Sequence, residues 1–197
     1  VNSVRGNGPV SDSVSVAIVA KPAAPSLITK NMAQSSKTSL AIEWNAVSVN
    51  GAHAPGSEIL GYVLHITDPV TGNTWEAFNG VTLGLKTQIR ANVLGLVTGK
   101  AYDFAVVAWN FNGVGTLSST YSFYSCILST GFVAPTRSTS TASSITIDWS
   151  TPADTGGCSI SGYAVFKNDG AGGSTFTEAN SASDAAIRNQ PGLNSAT

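Results

Sequence analysis

The stretches Thr38-Ser-Leu-Ala-Ile-Glu-Trp44 and Ser143-Ser-Ile-Thr-Ile-Asp-Trp149 decide the fold. In each, apolar residues take every second position: Leu40, Ile42 and Trp44 in the first, Ile145, Ile147 and Trp149 in the second. Successive side chains of a strand point to opposite faces, so this spacing predicts a half-buried β-strand. The two tryptophans stand 105 residues apart. The same strand is therefore written twice, at a separation equal to the size of a common domain.

The repetition extends on both sides. Ile59-Leu-Gly-Tyr-Val-Leu64 is answered by Ile160-Ser-Gly-Tyr-Ala-Val165, Ala24-Pro25 by Ala134-Pro135, and Ile89-Arg90 by Ile187-Arg188. Asn2, Gly6, Gly8 and Ser11 are answered by Asn110, Gly113, Gly115 and Ser118. The period is about 100–110 residues, the mark of a tandem array. Its phase divides the chain into the end of one repeat (1–20), a complete repeat (21–131) and the first part of a third (132–197). The chain is thus expected to be a stretch of a longer array.

Within the complete repeat, Tyr62, Leu64 and Ile66 alternate with Val63, His65 and Thr67. Tyr102, Phe104, Val106 and Ala108 alternate with Asp103, Ala105, Val107 and Trp109. Turn signals separate such runs, among them Asn50-Gly51, Asp68-Pro69, Asn79-Gly80 and Asn112-Gly113. No segment carries a helical stripe. About seven short strands per repeat predict an all-β chain of antiparallel β-sandwiches.

Composition narrows the function. Of 197 residues only 11% are charged, the formal net charge is −1, and 26 Ser and 20 Thr supply much of the polarity. An average soluble domain carries about 25% charged residues. Without a basic excess there is no electrostatic footprint for nucleic acid. No apolar run reaches the ~18–20 residues of a membrane span. Two histidines, His53 and His65, and two cysteines without CxxC spacing do not make a zinc site. No Gly-x-Ser-x-Gly elbow is present, so no catalytic residues, cofactor or metal are expected. No Asn-x-Ser/Thr sequon occurs, whereas the many hydroxyls leave O-glycans open.

The order of motifs resembles the fibronectin type III family. The relevant residues are Pro25, Trp44, Gly61-Tyr62, Leu96 to Tyr102, Ala108-x-Asn110, Gly113-x-Gly115 and Ser118. The third repeat supplies Pro135, Trp149 and Gly162-Tyr163. The Trp149-Ser-Thr-Pro-Ala-Asp-Thr-Gly-Gly stretch is similar to versions in large surface proteins of protists. The resemblance implies immunoglobulin-like sandwiches with Trp44, Tyr62, Leu96, Tyr102, Trp149 and Tyr163 as core signature. Tyr102 should bond its hydroxyl locally, as in a tyrosine corner.

The resemblance also locates candidate sites. Cys126 falls late in the last strand of the complete repeat and Cys158 in the B–C loop of the next. End-to-end stacking would bring these together, so an interdomain disulfide is expected, with two free thiols as the alternative. Val19 and Ser57 stand at the matching places of the first joint. Arg5-Gly6-Asn7 occupies the loop that carries Arg-Gly-Asp in some members, but Asn replaces the carboxylate, which favours a plain hairpin loop. Trp109 is expected to point outward with Val63 and His65. Trp75 on the adjacent strand would complete an exposed contact surface with them, unless it folds into the core.

The expected function is a non-catalytic structural segment of a large extracellular or cell-surface protein, a semi-rigid spacer or filament-forming rod, in the setting of a protist surface or ciliary hair. Self-association of copies is the expected partnership. The alternatives are an adhesion or receptor module that binds a protein or glycan, and accessory domains of a larger enzyme.

Overall fold

The alternation around Trp44 and Tyr102 becomes two facing sheets. A computed structural model describes residues 2–3, 6–7, 9, 11–14, 20–48, 58–179 and 195–196. The short strands β1 (Asn2–Ser3) and β2 (Gly6–Asn7) pair as a hairpin, with Gly6 and Asn7 in β2; Arg5 and residues 49–57, which hold His53 and Ser57, lie outside the described residues.

The first sheet of the central sandwich is β3 (Thr29–Asn31), β4 (Leu40–Glu43) and β7 (Arg90–Val93), in the order β3-β4-β7. A single 3-10 turn, Met32–Gln34, separates β3 from β4. The second sheet holds β5 (Gly61–Thr67), β6 (Thr74–Asn79), β8 (Ala101–Asn110), β9 (Gly113–Val114) and β10 (Tyr121–Tyr124). Its order is β10-β8-β5-β6, with β9 beside β8, and every pairing is antiparallel. Three strands packed against five make an antiparallel, immunoglobulin-like β-sandwich.

The rows that alternate in sequence meet between the sheets. Leu40, Ile42, Trp44, Ala91 and Val93 face Tyr62, Leu64, Ile66, Tyr102, Phe104, Val106 and Ala108, with Ile28 and Leu96 closing the ends. Each large side chain so buried stabilises by about 1.5–3 kcal/mol. Trp44 sits centrally, its ring 5.8 Å from Tyr62 and 6.2 Å from Phe78. The Tyr62 hydroxyl accepts from the Val47 amide at 2.9 Å, and the Tyr102 hydroxyl from the Val97 amide at 3.1 Å. The second of these bonds is the tyrosine corner that the family resemblance implies.

A second unit follows. Strands β11 (Thr136–Ser140), β12 (Ile145–Asp148) and β15 (Ser195–Ala196) form one antiparallel sheet, and β13 (Phe166–Lys167) pairs with β14 (Thr177–Glu178). Trp149 and Tyr163 are buried with ring centres 5.7 Å apart and an interplanar angle of 58°. The Trp44–Tyr62 pair has nearly the same geometry, 5.8 Å and 56°. The repeat seen in sequence thus recurs as a repeated aromatic contact. Phe132, arriving from the linker, packs on Tyr163 at 5.9 Å.

Candidate functional site

The densest meeting of distant residues lies where the linker leaves the central sandwich. The last strand, β10, ends at Tyr124, and Ser125 is fully buried behind it. The Ser125 hydroxyl and the Thr98 hydroxyl both donate to the Lys37 carbonyl, at 2.8 and 3.0 Å. These bonds fix the loop that carries Lys37. Its ammonium then reaches the second unit and donates to both carboxylate oxygens of Asp154, at 2.8 and 2.7 Å. The Gly156 amide also donates to Asp154, at 2.8 Å. Lys37 and that amide hold the Asp154 carboxyl below its ordinary value, against a smaller opposing effect of burial. Nothing in the local sequence pattern announced this pair.

Cys126 and Cys158 are joined by a disulfide across the same junction, with their Cα atoms 5.6 Å apart. The spacing suits an unstretched bridge. Lys30 braces the bond from the other side: its ammonium donates to the carbonyls of Tyr124, at 2.8 Å, and of Cys126. Burial pushes the Lys30 ammonium down from its ordinary value. Two glycines permit the close approach. Gly157 has φ +93°, and a Cβ there would stand 2.5 Å from the Thr98 methyl. Gly156 has φ +75°, and its Cβ would stand 2.0 Å from the Ile127 carbonyl oxygen.

Among the described residues, the contacts at the entry to the central sandwich are neutral hydrogen bonds. The Asn110 amide donates to the Ala20 carbonyl at 2.7 Å, and the Thr116 amide to the Pro22 carbonyl at 3.1 Å. A Cβ on Gly115 would fall 2.4 Å from that same Pro22 oxygen. The Ala-x-Asn and Gly-x-Gly motifs therefore dock the incoming linker.

The expected aromatic surface is placed differently. Trp109, Val63 and His65 do share the outer face of β5 and β8, with Gly61 opposite Trp109, Val63 opposite Val107 and His65 opposite Ala105. Val63, however, is only 3% exposed. The chain leaving β6 closes over this end of the face: the backbone of Gly80 and Val81 passes 2.6 Å from where a Gly61 Cβ would stand. Trp109 is half-buried and His65 is half-buried.

Trp75 lies on the opposite face. The pairing of β5 with β6 shifts register between Leu64 and His65, so Ala77 is an extra residue. A bulge of this kind reverses which side chains face inward. Trp75 consequently stands opposite Ile66 in the core-facing row. It remains 41% exposed at the sheet's edge and meets Tyr102 edge-on at 6.3 Å. The structure does not bring Trp75 and Trp109 together. Lys100 pairs with Asp68 at 2.5 Å and lies 5.5 Å from the Tyr102 ring centre. Among the described residues no group of three or more His, Cys, Asp or Glu could hold a metal ion.

No family model matches the chain. Over 136 residues, 66% of its length, it is 32% identical to Titin of Drosophila melanogaster. That stretch is 1% of the relative's own length. Among solved structures it is similar to the chicken CNTN1 FN1-FN3 domains, with 17% identity and a TM-score of 0.44, covering 90% of this chain and 55% of that one. It is also similar to domains A168-A170 from titin, with 17% identity and a TM-score of 0.43, covering 55% of this chain and 33% of that one.

Proposed function

We propose that the chain is a non-catalytic structural segment of a longer extracellular or cell-surface protein, in which tandem sandwiches form a semi-rigid rod. The joint carries this reading. A covalent bond and a bidentate ion pair both cross it, which suits a spacer that must keep its direction from unit to unit. The disulfide supports an oxidising compartment, and with it a surface or secreted location. The protist surface or ciliary setting is the finer form of this proposal and rests on the sequence resemblance alone.

The low charge supports packing of the rod against copies of itself. With 11% charged residues, the surface has little like-charge repulsion to keep copies apart. Apolar side chains also stand exposed at Leu27, Leu83, Leu94, Val97, Leu128 and Val133. The test is small-angle scattering with sedimentation velocity on the intact oxidised chain. An elongated particle whose mass grows with concentration is expected. A compact particle of fixed mass overturns the proposal. An elongated monomer that stays monomeric and binds a glycan or a protein favours an adhesion module instead.

A further inference from the structure

The disulfide occupies a particular place in the strand register. Thr136 pairs with Asp148, Arg137 with Ile147, Thr139 with Thr146 and Ser140 with Ile145, and Thr141 to Ser144 close the turn. The pairing resumes beyond β11 and β12. Ala153 donates to the Gly131 carbonyl at 3.2 Å, Thr130 and Asp154 exchange bonds of 2.9 and 3.1 Å, and Ile127 donates to the Gly156 carbonyl at 2.9 Å. The pairs from Thr136–Asp148 out to Thr130–Asp154 follow one antiparallel register, with a single-residue slip near the tip. Cys126 and Cys158 fall in that same register, and the Ile127–Gly156 bond between is displaced by one residue. The linker and the first two strands of the second unit are thus one long hairpin, and the disulfide closes its open end.

We propose that this bond is a mechanical latch that shields the mouth of the hairpin from tension crossing the joint. The proposal deepens the reading of the chain as a rod and rests on it for its biological setting. Force arriving along β10 reaches Cys126, crosses the bond to Cys158 and continues into the second unit. The covalent path through the joint therefore bypasses residues 127–157. Without the bond, force would act at the mouth of an antiparallel ladder and load its pairs one at a time, from Ile127–Gly156 inward. Peeling of this kind needs far less force than shearing a whole sheet. The Lys37–Asp154 pair would then be the main remaining tie on that strand. The latched segment spans 32 residues, which is about 105–115 Å of extended chain against 5.6 Å across the bond.

Release proceeds by thiol–disulfide exchange. A dithiol's thiolate attacks one sulfur, the S–S bond breaks and a mixed disulfide forms. The second thiol then closes a ring on the reductant, and two electrons and two protons leave Cys126 and Cys158 as thiols. Both cysteines are half-buried, neither enclosed in the core.

The test is single-molecule stretching of the chain between handles at its two ends, oxidised and then exposed to dithiothreitol under load. Two changes are expected on reduction: a gain of about 100 Å in total contour length, and release of that length in a step below the force that unfolds the central sandwich. Equal contour lengths before and after reduction overturn the latch. So does release only together with the sandwich. The Cys126→Ser/Cys158→Ser chain should behave as the reduced one, and reduction of the unaltered chain gives the same comparison without substitution. A latch that works in a chain scattering as a compact particle would sink the rod and leave the latch standing.

Discussion

Trp44 and Trp75 are both tryptophans on strands or at strand ends of one sandwich, yet their substitutions should differ sharply. Trp44 is 2% exposed and packs on Tyr62 and Phe78 between the sheets. Trp44→Ala removes a fully enclosed ring, and both sheets hold the space open, so a loss of about 3–5 kcal/mol is expected. Trp75 has an open side. Its Tyr102 contact is worth about 0.5–1.5 kcal/mol, and no closed cavity forms when it is truncated, so Trp75→Ala should cost about 1–2 kcal/mol. The assay is urea unfolding of the oxidised chain followed by far-ultraviolet circular dichroism, which does not depend on the tryptophan signal. The two variants should share a slope and differ by about 1–4 kcal/mol in extrapolated stability. Equal losses would refute the open, edge position of Trp75, because a Trp75 wholly inside the core would behave as Trp44 does, and a Trp75→Ala loss near zero would refute the reversed facing of β6. A Trp44→Ala loss below about 1 kcal/mol would refute the core itself.

Tyr102→Phe leaves the Val97 amide without its 3.1 Å acceptor and should cost about 1 kcal/mol in the same unfolding measurement. Gly61→Ala puts a methyl 2.6 Å from the Gly80 and Val81 backbone, so a loss of about 1–3 kcal/mol is expected, whereas Gly72→Ala meets nothing within 4 Å and should lose less, chiefly from its φ of +73°. The Asp154 carboxyl is depressed in the folded chain, so its ion pair contributes fully above the ordinary value of 3.8 and is lost as pH falls through the lower folded value. The Gly156 amide resonance reports this directly, because it donates to Asp154. Its titration should lie below pH 3.8 and move up in Lys37→Ala; an unmoved midpoint would show that Lys37 does not hold the carboxylate.

The core rows were legible in the sequence because period-two alternation is a local property of a strand. Leu40, Ile42 and Trp44 announce their facing without reference to any partner. The facing of Trp75 was not legible for the complementary reason. Thr74 to Asn79 contains no Gly or Pro to mark a bulge, and the extra residue at Ala77 exists only relative to β5. Val63 was assigned to the right face, but its cover comes from Gly80 and Val81, which the alternation of β5 cannot see. The pole-to-pole position of Cys126 and Cys158 followed once a fold was assumed. The Lys37–Asp154 pair did not, since it joins residues 117 apart through loops with no periodic signal. Gly156 and Gly157 were visible as a turn, whereas their role as clearance at the joint exists only in its packing against Ile127 and Thr98.

The two junctions of the central sandwich are built from different chemistry, and this changes what the low charge means. At the entry, neutral hydrogen bonds from Asn110 and Thr116 hold Ala20 and Pro22. The matching places for the staple there are Val19 and Ser57, which lie outside the described residues, and the sequence from Asn45 to Ser57 contains no Asp or Glu. At the exit, one of the three ion pairs found among the described residues is spent on the joint. An exposed ion pair is screened by solvent and contributes little by itself. Lys37 and Asp154 therefore cannot hold two units in line by themselves; the pair positions Asp154, four residues before Cys158, and the covalent bond holds what it positions. A chain with few charges can still build a directional joint, because the bond that bears the load is not electrostatic.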